Sequence, residues 1–98
     1  MAGPARISID QESDGDPLIF RVEVHEGGGS TAHQVTMSGQ TYRELTGGKV
    51  TPERLIAASF EYLLERERKE AILSTFDLTL ITSFFPQYSG DIKSRLGT

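Results

Sequence analysis

The chain of 98 residues has no cysteine and no tryptophan. Without cysteine there is no disulfide framework, no thiolate zinc site and no cysteine nucleophile. Long apolar runs are missing too: no stretch approaches the ~18 residues a membrane-spanning helix needs. The opening MAGPARISID lacks the basic-then-apolar form of a signal peptide. These absences lead to the expectation of a cytoplasmic protein without a membrane partner. Positive charge is scarce at the amino-terminal end, where the first 33 residues hold Arg6 and Arg21 against Asp10, Glu12, Asp14, Asp16, Glu23 and Glu26. With a formal net charge of -4 and no lysine or arginine cluster near the strands, the basic stripe that phosphate neutralisation requires is lacking. Nucleic acid is therefore disfavoured as a partner.

What is present reads first as strands. In RISID the residues Ile7 and Ile9 alternate with polar neighbours, and in LIFRVEVHE the residues Leu18, Phe20, Val22 and Val24 keep the same period of two. HQVTMS offers a third short strand through Val35 and Met37, while QESDGDP reads as a turn. Opposed residues of an antiparallel pair point to one face. Placing Val22 and Val24 with Val35 and Met37 therefore pairs even-numbered with odd-numbered positions. One such register sets Val24 against Val35 and Val22 against Met37, with GGGSTA as the loop. Arg21, Glu23, His25, Gln34, Thr36 and Ser38 then share the opposite, polar face.

Helical signals follow. Gly39 to Thr46 allows at most two turns before Gly47-Gly48 stops it. The next helix is announced by Thr51 as N-cap, Pro52 at the first position and Glu53 at the positive end of the dipole; its apolar stripe is Leu55, Ile56, Ser59, Phe60, Leu63 and Leu64. Its exit, ERERKE, reads as a solvated face with Glu65–Lys69 and Arg66–Glu70 pairs at i,i+4. The last third is rich in apolar residues. Ser74 and Asp77 have capping-box spacing, and Phe76, Leu80, Phe84 and Tyr88 recur every four residues until Pro86 interrupts. One short helix ending near Phe84 is expected, then a poorer turn over residues 87–95. The expected fold class is α+β: a three-stranded antiparallel meander (1–38) with three to four helices (39–98) packed on one face, in a single domain over residues 1–98.

Chemistry-bearing patterns all fall short. Asp10, Glu12, Asp14 and Gly15 match the first positions of a calcium loop, but the twelfth position, which must be a bidentate glutamate, is Arg21. Gly47-Gly48-Lys49 is no phosphate-binding loop, because Arg43 and Val50 stand where glycine and serine or threonine are required. His25 belongs to the polar face and His33 to the inward face or its rim, so without a bulge the two do not chelate together. No serine sits in a nucleophile elbow. The chain is expected to have no catalytic residues, no metal site and no cofactor.

Three resemblances can be stated. HQVTMSGQTYRELTGGKVTPERLIAASFEYLLERE is similar in its order of strand, helix, turn and helix to a ribbon-helix-helix DNA-binding unit. That resemblance would place Gln34 and Thr36 in the groove of DNA. The meander followed by a helix also looks like the amino-terminal module of HicB-like antitoxins. Over residues 35–92, TPERLIAASFEYLLERERKEAIL and FDLTLITSFFPQY resemble a group of small uncharacterised bacterial proteins, a resemblance that implies a small single domain and transfers no functional residues. The function expected is a non-enzymatic module that binds a protein partner or a second copy of itself, with a DNA-binding or antitoxin-like regulator as the alternative. Two surfaces are candidates: the aromatic anchors Phe84, Phe85 and Tyr88, and the polar face of Arg21, Glu23, His25, Gln34 and Thr36.

Overall fold

A computed structural model describes residues 5–97; the start of the stretch read above for a signal peptide, residues 1–4, lies outside them. The elements in order are β1 (Arg6–Ser13), β2 (Leu18–Glu26), β3 (Gly29–Met37), α1 (Gly39–Thr46), α2 (Pro52–Leu64), a 3-10 turn (Lys69–Ala71), β4 (Thr75–Asp77), α3 (Leu80–Phe84) and α4 (Tyr88–Leu96). The class is α+β, as the periodicities predict. The sheet is mixed and has four strands in the order β1-β2-β3-β4.

The meander forms with the expected parity. Val22 faces His33, Phe20 faces Val35 and Leu18 faces Met37 across β2 and β3, so one face collects Phe20, Val22, Val24, Val35 and Met37, all with no exposure. The specific register differs from the Val24–Val35 pairing. Gly27 and Gly28 alone make the turn, at φ of 64° and 80°, and two positive-φ residues give the tight hairpin whose twist matches its strands. Gly29 to Ala32 therefore belong to β3 instead of to a loop, and the ladder moves by four residues without changing faces.

The fourth strand corrects the expectation that residues 39–98 are wholly helical. Thr75–Asp77 lies parallel to β3, with Gln34 opposite Thr75, Val35 opposite Phe76 and Thr36 opposite Asp77. A parallel neighbour requires a crossover, and α1 and α2 supply it. Gln34 N donates to Ser74 O at 2.7 Å and Leu78 N to Thr36 O at 2.9 Å. Ser74 is thus a ladder acceptor and not a helix cap. Asp77 closes the turn that leads into α3: its Oδ2 accepts from Thr79 N at 3.1 Å and Thr79 Oγ1 at 2.6 Å, while Oδ1 accepts from Thr36 Oγ1 at 2.8 Å. Partial burial pushes the Asp77 pKa up, but these hydrogen bonds outweigh it and hold the carboxyl below its ordinary value.

The helices cover the apolar face. Ser38 caps α1, and Gly47 ends it in the left-handed region at φ 63°. Asp16 Oδ1, from the β1–β2 turn, accepts from Gly39 N at 3.0 Å and so ties that acidic loop to the positive end of a helix. Thr51 caps α2 through Arg54 N. The apolar stripe of α2 is buried as read, except that Leu64 is only partly covered. A second face, Ala58 and Tyr62, is buried as well, and α4 packs against α2 there, with Asp91 accepting from the Tyr62 hydroxyl. The helix stops at Leu64, so the i,i+4 pairs of ERERKE do not form. Glu65 instead meets Arg95 of α4 at 2.6 Å, and Lys69 turns inward to pair with its neighbour Glu70 at 2.7 Å. The Arg95 hydrogen bond holds Glu65 below the usual carboxylate range.

The segment after Pro86 is a helix of nine residues, α4, where a poorer turn is expected from sequence. It is clamped through Tyr62. The Tyr62 hydroxyl donates to Asp91 Oδ2 at 2.9 Å, the Arg66 guanidinium lies 3.5 Å from the ring centroid, and the rings of Tyr88 and Phe85 meet it edge-on at 5.4 and 6.2 Å.

Candidate functional site

The three aromatic anchors read from the last third separate in space. Tyr88 is 1% exposed. Its hydroxyl bonds the Ser59 hydroxyl, which itself donates to Leu55 O at 2.8 Å. As a partner anchor Tyr88 is therefore corrected to core: Pro86 breaks the four-residue period, and α4 turns this ring onto α2. Phe85 is half-buried against Tyr62. Phe84, at the last position of α3, is 62% exposed, and Leu73 is 49% exposed. Among the described residues these are the two large hydrophobic side chains left open to solvent.

Phe84 and Leu73 line one cleft of about 110 Å³. Its floor is Leu63 of α2, Ile72, Phe76 of β4 and Ile81 of α3, and its remaining walls are Ala71, Leu80 and Phe85. Glu67 is the one ionisable group in the lining. The geometry has a local cause. The helix α2 ends at Leu64, the chain crosses back through the 3-10 turn, and β4 is only three residues long, so α3 starts close to the place where α2 stops. Leu73 is the part of this site that sequence reasoning missed, because it stands outside every periodic run.

The Leu73 segment is fixed from behind. His33 is 3% exposed, and its Nδ1 donates to Leu73 O at 2.7 Å while Nε2 lies 2.8 Å from Thr31 Oγ1. With Nδ1 carrying a proton, the Thr31 hydroxyl donates to Nε2 in the neutral ring. The imidazole also stacks obliquely on Phe60 with centroids 5.4 Å apart. His33 thus has a positional task, holding the rim of the cleft to β3.

The polar face is assembled as its parity predicts. Arg21 lies opposite Gln34, and Arg21, Glu23 and His25 run along one side of β2. Glu23 accepts from Arg21 at 3.1 Å and sits 3.5 Å from His25 Nε2. Arg21 and Gln34 border a shallow depression of about 220 Å³ with Glu12, whereas Thr36 is engaged by Asp77. The charges on this face largely satisfy one another. Asp10 and Glu12, read against a calcium loop, lie along β1, with Asp10 opposite Arg21; among the described residues no group of three histidine or acidic side chains could hold a metal ion.

The strand that the ribbon-helix-helix resemblance would pair with a twin is interior to the sheet. β3 is bonded on one side to β2 and, over Gln34–Thr36, on the other to β4. Among the described residues no helix is long and apolar enough to cross a membrane. Comparison of the chain with family models, with curated proteins and with solved structures finds no significant match.

Proposed function

We propose that the protein is a non-enzymatic interaction module that docks a protein partner in the cleft between Leu73 and Phe84. The observation carrying this reading is that the two large exposed hydrophobic side chains among the described residues border the same cleft. Its volume of about 110 Å³ is well below the roughly 300–1,000 Å³ of small-molecule and cofactor pockets. It suits a single apolar side chain offered by a partner, in the manner of an anchor residue entering a desolvated pocket. One ionisable group in an apolar lining gives no pair for acid–base work, which supports a binding role over a catalytic one. The DNA-binding alternative has no comparable support, because the residues it would use, Gln34 and Thr36, are uncharged and lie on an interior strand.

Panning a displayed peptide library against the immobilised full chain, with the Phe84→Ser variant as counter-selection, tests this. Enriched peptides are expected to share one large aliphatic or aromatic residue with a basic neighbour to meet Glu67, and to bind the variant at least about tenfold more weakly. No enrichment, or peptides that bind both proteins equally, would refute the cleft as the docking site.

A further inference from the structure

The sheet has a second unfinished place, at its opposite edge. β1 pairs with β2 on one side only, and none of its residues makes a backbone hydrogen bond to another element among the described residues. Alternate residues of an antiparallel edge strand turn their N–H and C=O groups outward, so β1 offers a free row of donors and acceptors. Its side chains add a pattern. Ile7 and Ile9 are partly buried toward the helices, Arg6, Ser8 and Asp10 lie on the bare face, and among the described residues neither Arg6 nor Asp10 has an ion-pair partner.

We infer that β1 is a self-association edge, pairing antiparallel with β1 of a second copy about a two-fold axis at Ser8. In that register Arg6 of each copy faces Asp10 of the other, and Ile7 faces Ile9. A two-fold interface repeats each contact, so the dimer gains two cross-strand ion pairs and two apolar pairs, all on their proper faces. Arg6 and Asp10 on a single strand are thus self-complementary. β1 begins at Arg6 and its regular ladder ends at the irregularity between Gln11 and Ser13, so a pairing centred on Ser8 is confined to residues 6–10. So short an interface falls below the roughly 1,200 Å² of standard complexes, and the dimer is weak. It joins the molecules at the edge remote from β4, leaving both apolar clefts open. This inference therefore stands apart from the docking function.

Sedimentation equilibrium of the full chain up to about 1 mM tests it. A monomer–dimer equilibrium is expected, weakened by salt because the ion pairs are exposed. R6D and D10R, each placing like charges opposite one another twice per dimer, are each expected to raise the dimer dissociation constant about tenfold or more. Mixing these two variants in equal amounts restores dimerisation, since each then faces its opposite charge. A strict monomer throughout would overturn the proposal. So would a dimer indifferent to both variants, no recovery on mixing, or a dimer dispersed only by Phe84→Ser, which would put self-association at the cleft.

Discussion

Replacing Tyr88 with alanine is expected to leave the chain largely unfolded at 25 °C. The ring is fully enclosed between α2 and α4, and truncating a buried aromatic costs about 3–5 kcal/mol. A domain of this length buries only about 60–65% of its unfolded surface, and its total stability lies toward the lower end of the ~5–15 kcal/mol usual for native proteins. One such substitution removes most of it. Tyr88→Phe keeps the ring and loses the hydroxyl bond to Ser59, whose own hydroxyl still donates to Leu55 O. Because no buried group is then wholly unpartnered, the expected cost is about 1 kcal/mol.

The same residue sets an alkaline limit. Burial pushes the Tyr88 pKa up to about 12, with the Ser59 hydrogen bond opposing and Tyr62 adding to the rise. In the unfolded chain the value is about 10. Between these values the unfolded state has released its proton and the folded state has not, so stability falls as pH rises. The contribution is intact below pH 10 and is lost by about pH 12, on the order of 2–3 kcal/mol in all. Urea midpoints measured from pH 9 to 12 should therefore fall more steeply for the natural protein than for Tyr88→Phe. Tyr62, whose pKa is also raised by burial and by its hydrogen bond to Asp91, titrates in both proteins, so the difference between them reports Tyr88 together with its coupling to Tyr62.

Phe60→Ala carries the second large effect, again about 3–5 kcal/mol, and a more local signature. Phe60 is fully buried on α2, with the ring of His33 at 5.4 Å and that of Phe76 at 6.1 Å. It backs both the imidazole that holds Leu73 and the strand that floors the cleft. Loss of this ring should loosen β4 before the meander. In hydrogen exchange under mild denaturant, the Leu78 amide, which donates to Thr36 O, is expected to lose protection ahead of the amides shared by β2 and β3. Equal loss across the whole sheet would show that β4 has no separate weakness.

The faces of the meander were legible because period two over β2 and β3 leaves only one inward set, which also placed His33 inside and Arg21, Glu23, His25 and Gln34 outside. The exact register was not, since Gly27-Gly28-Gly29 offers several turns of equal chemistry and parity survives a shift of four. α1 was legible from Gly39 to Gly48 and α2 from Thr51 onward, because the glycine stop and the Thr51 cap are local; Ser38, read with the polar face of the strand, instead caps α1. β4 is too short for alternation to register, and Ser74 and Asp77 carry capping-box spacing although neither caps α3. Tyr62 and the second buried face of α2 depend on where α4 lands, which no local pattern encodes. The candidate site shows the same division. Phe84, Phe85 and Tyr88 look equivalent in sequence, and it is the turn at Pro86 that leaves the first open, the second half-covered and the third enclosed.

Urea unfolding of the Phe84→Ser variant tests most directly whether the apolar excess of the last third includes a surface kept free for a partner. With Phe84 62% exposed, its removal is expected to change the unfolding free energy by no more than about 0.5 kcal/mol, the range for surface positions. A loss of about 2 kcal/mol or more would make Phe84 a member of the core and contradict the docking cleft.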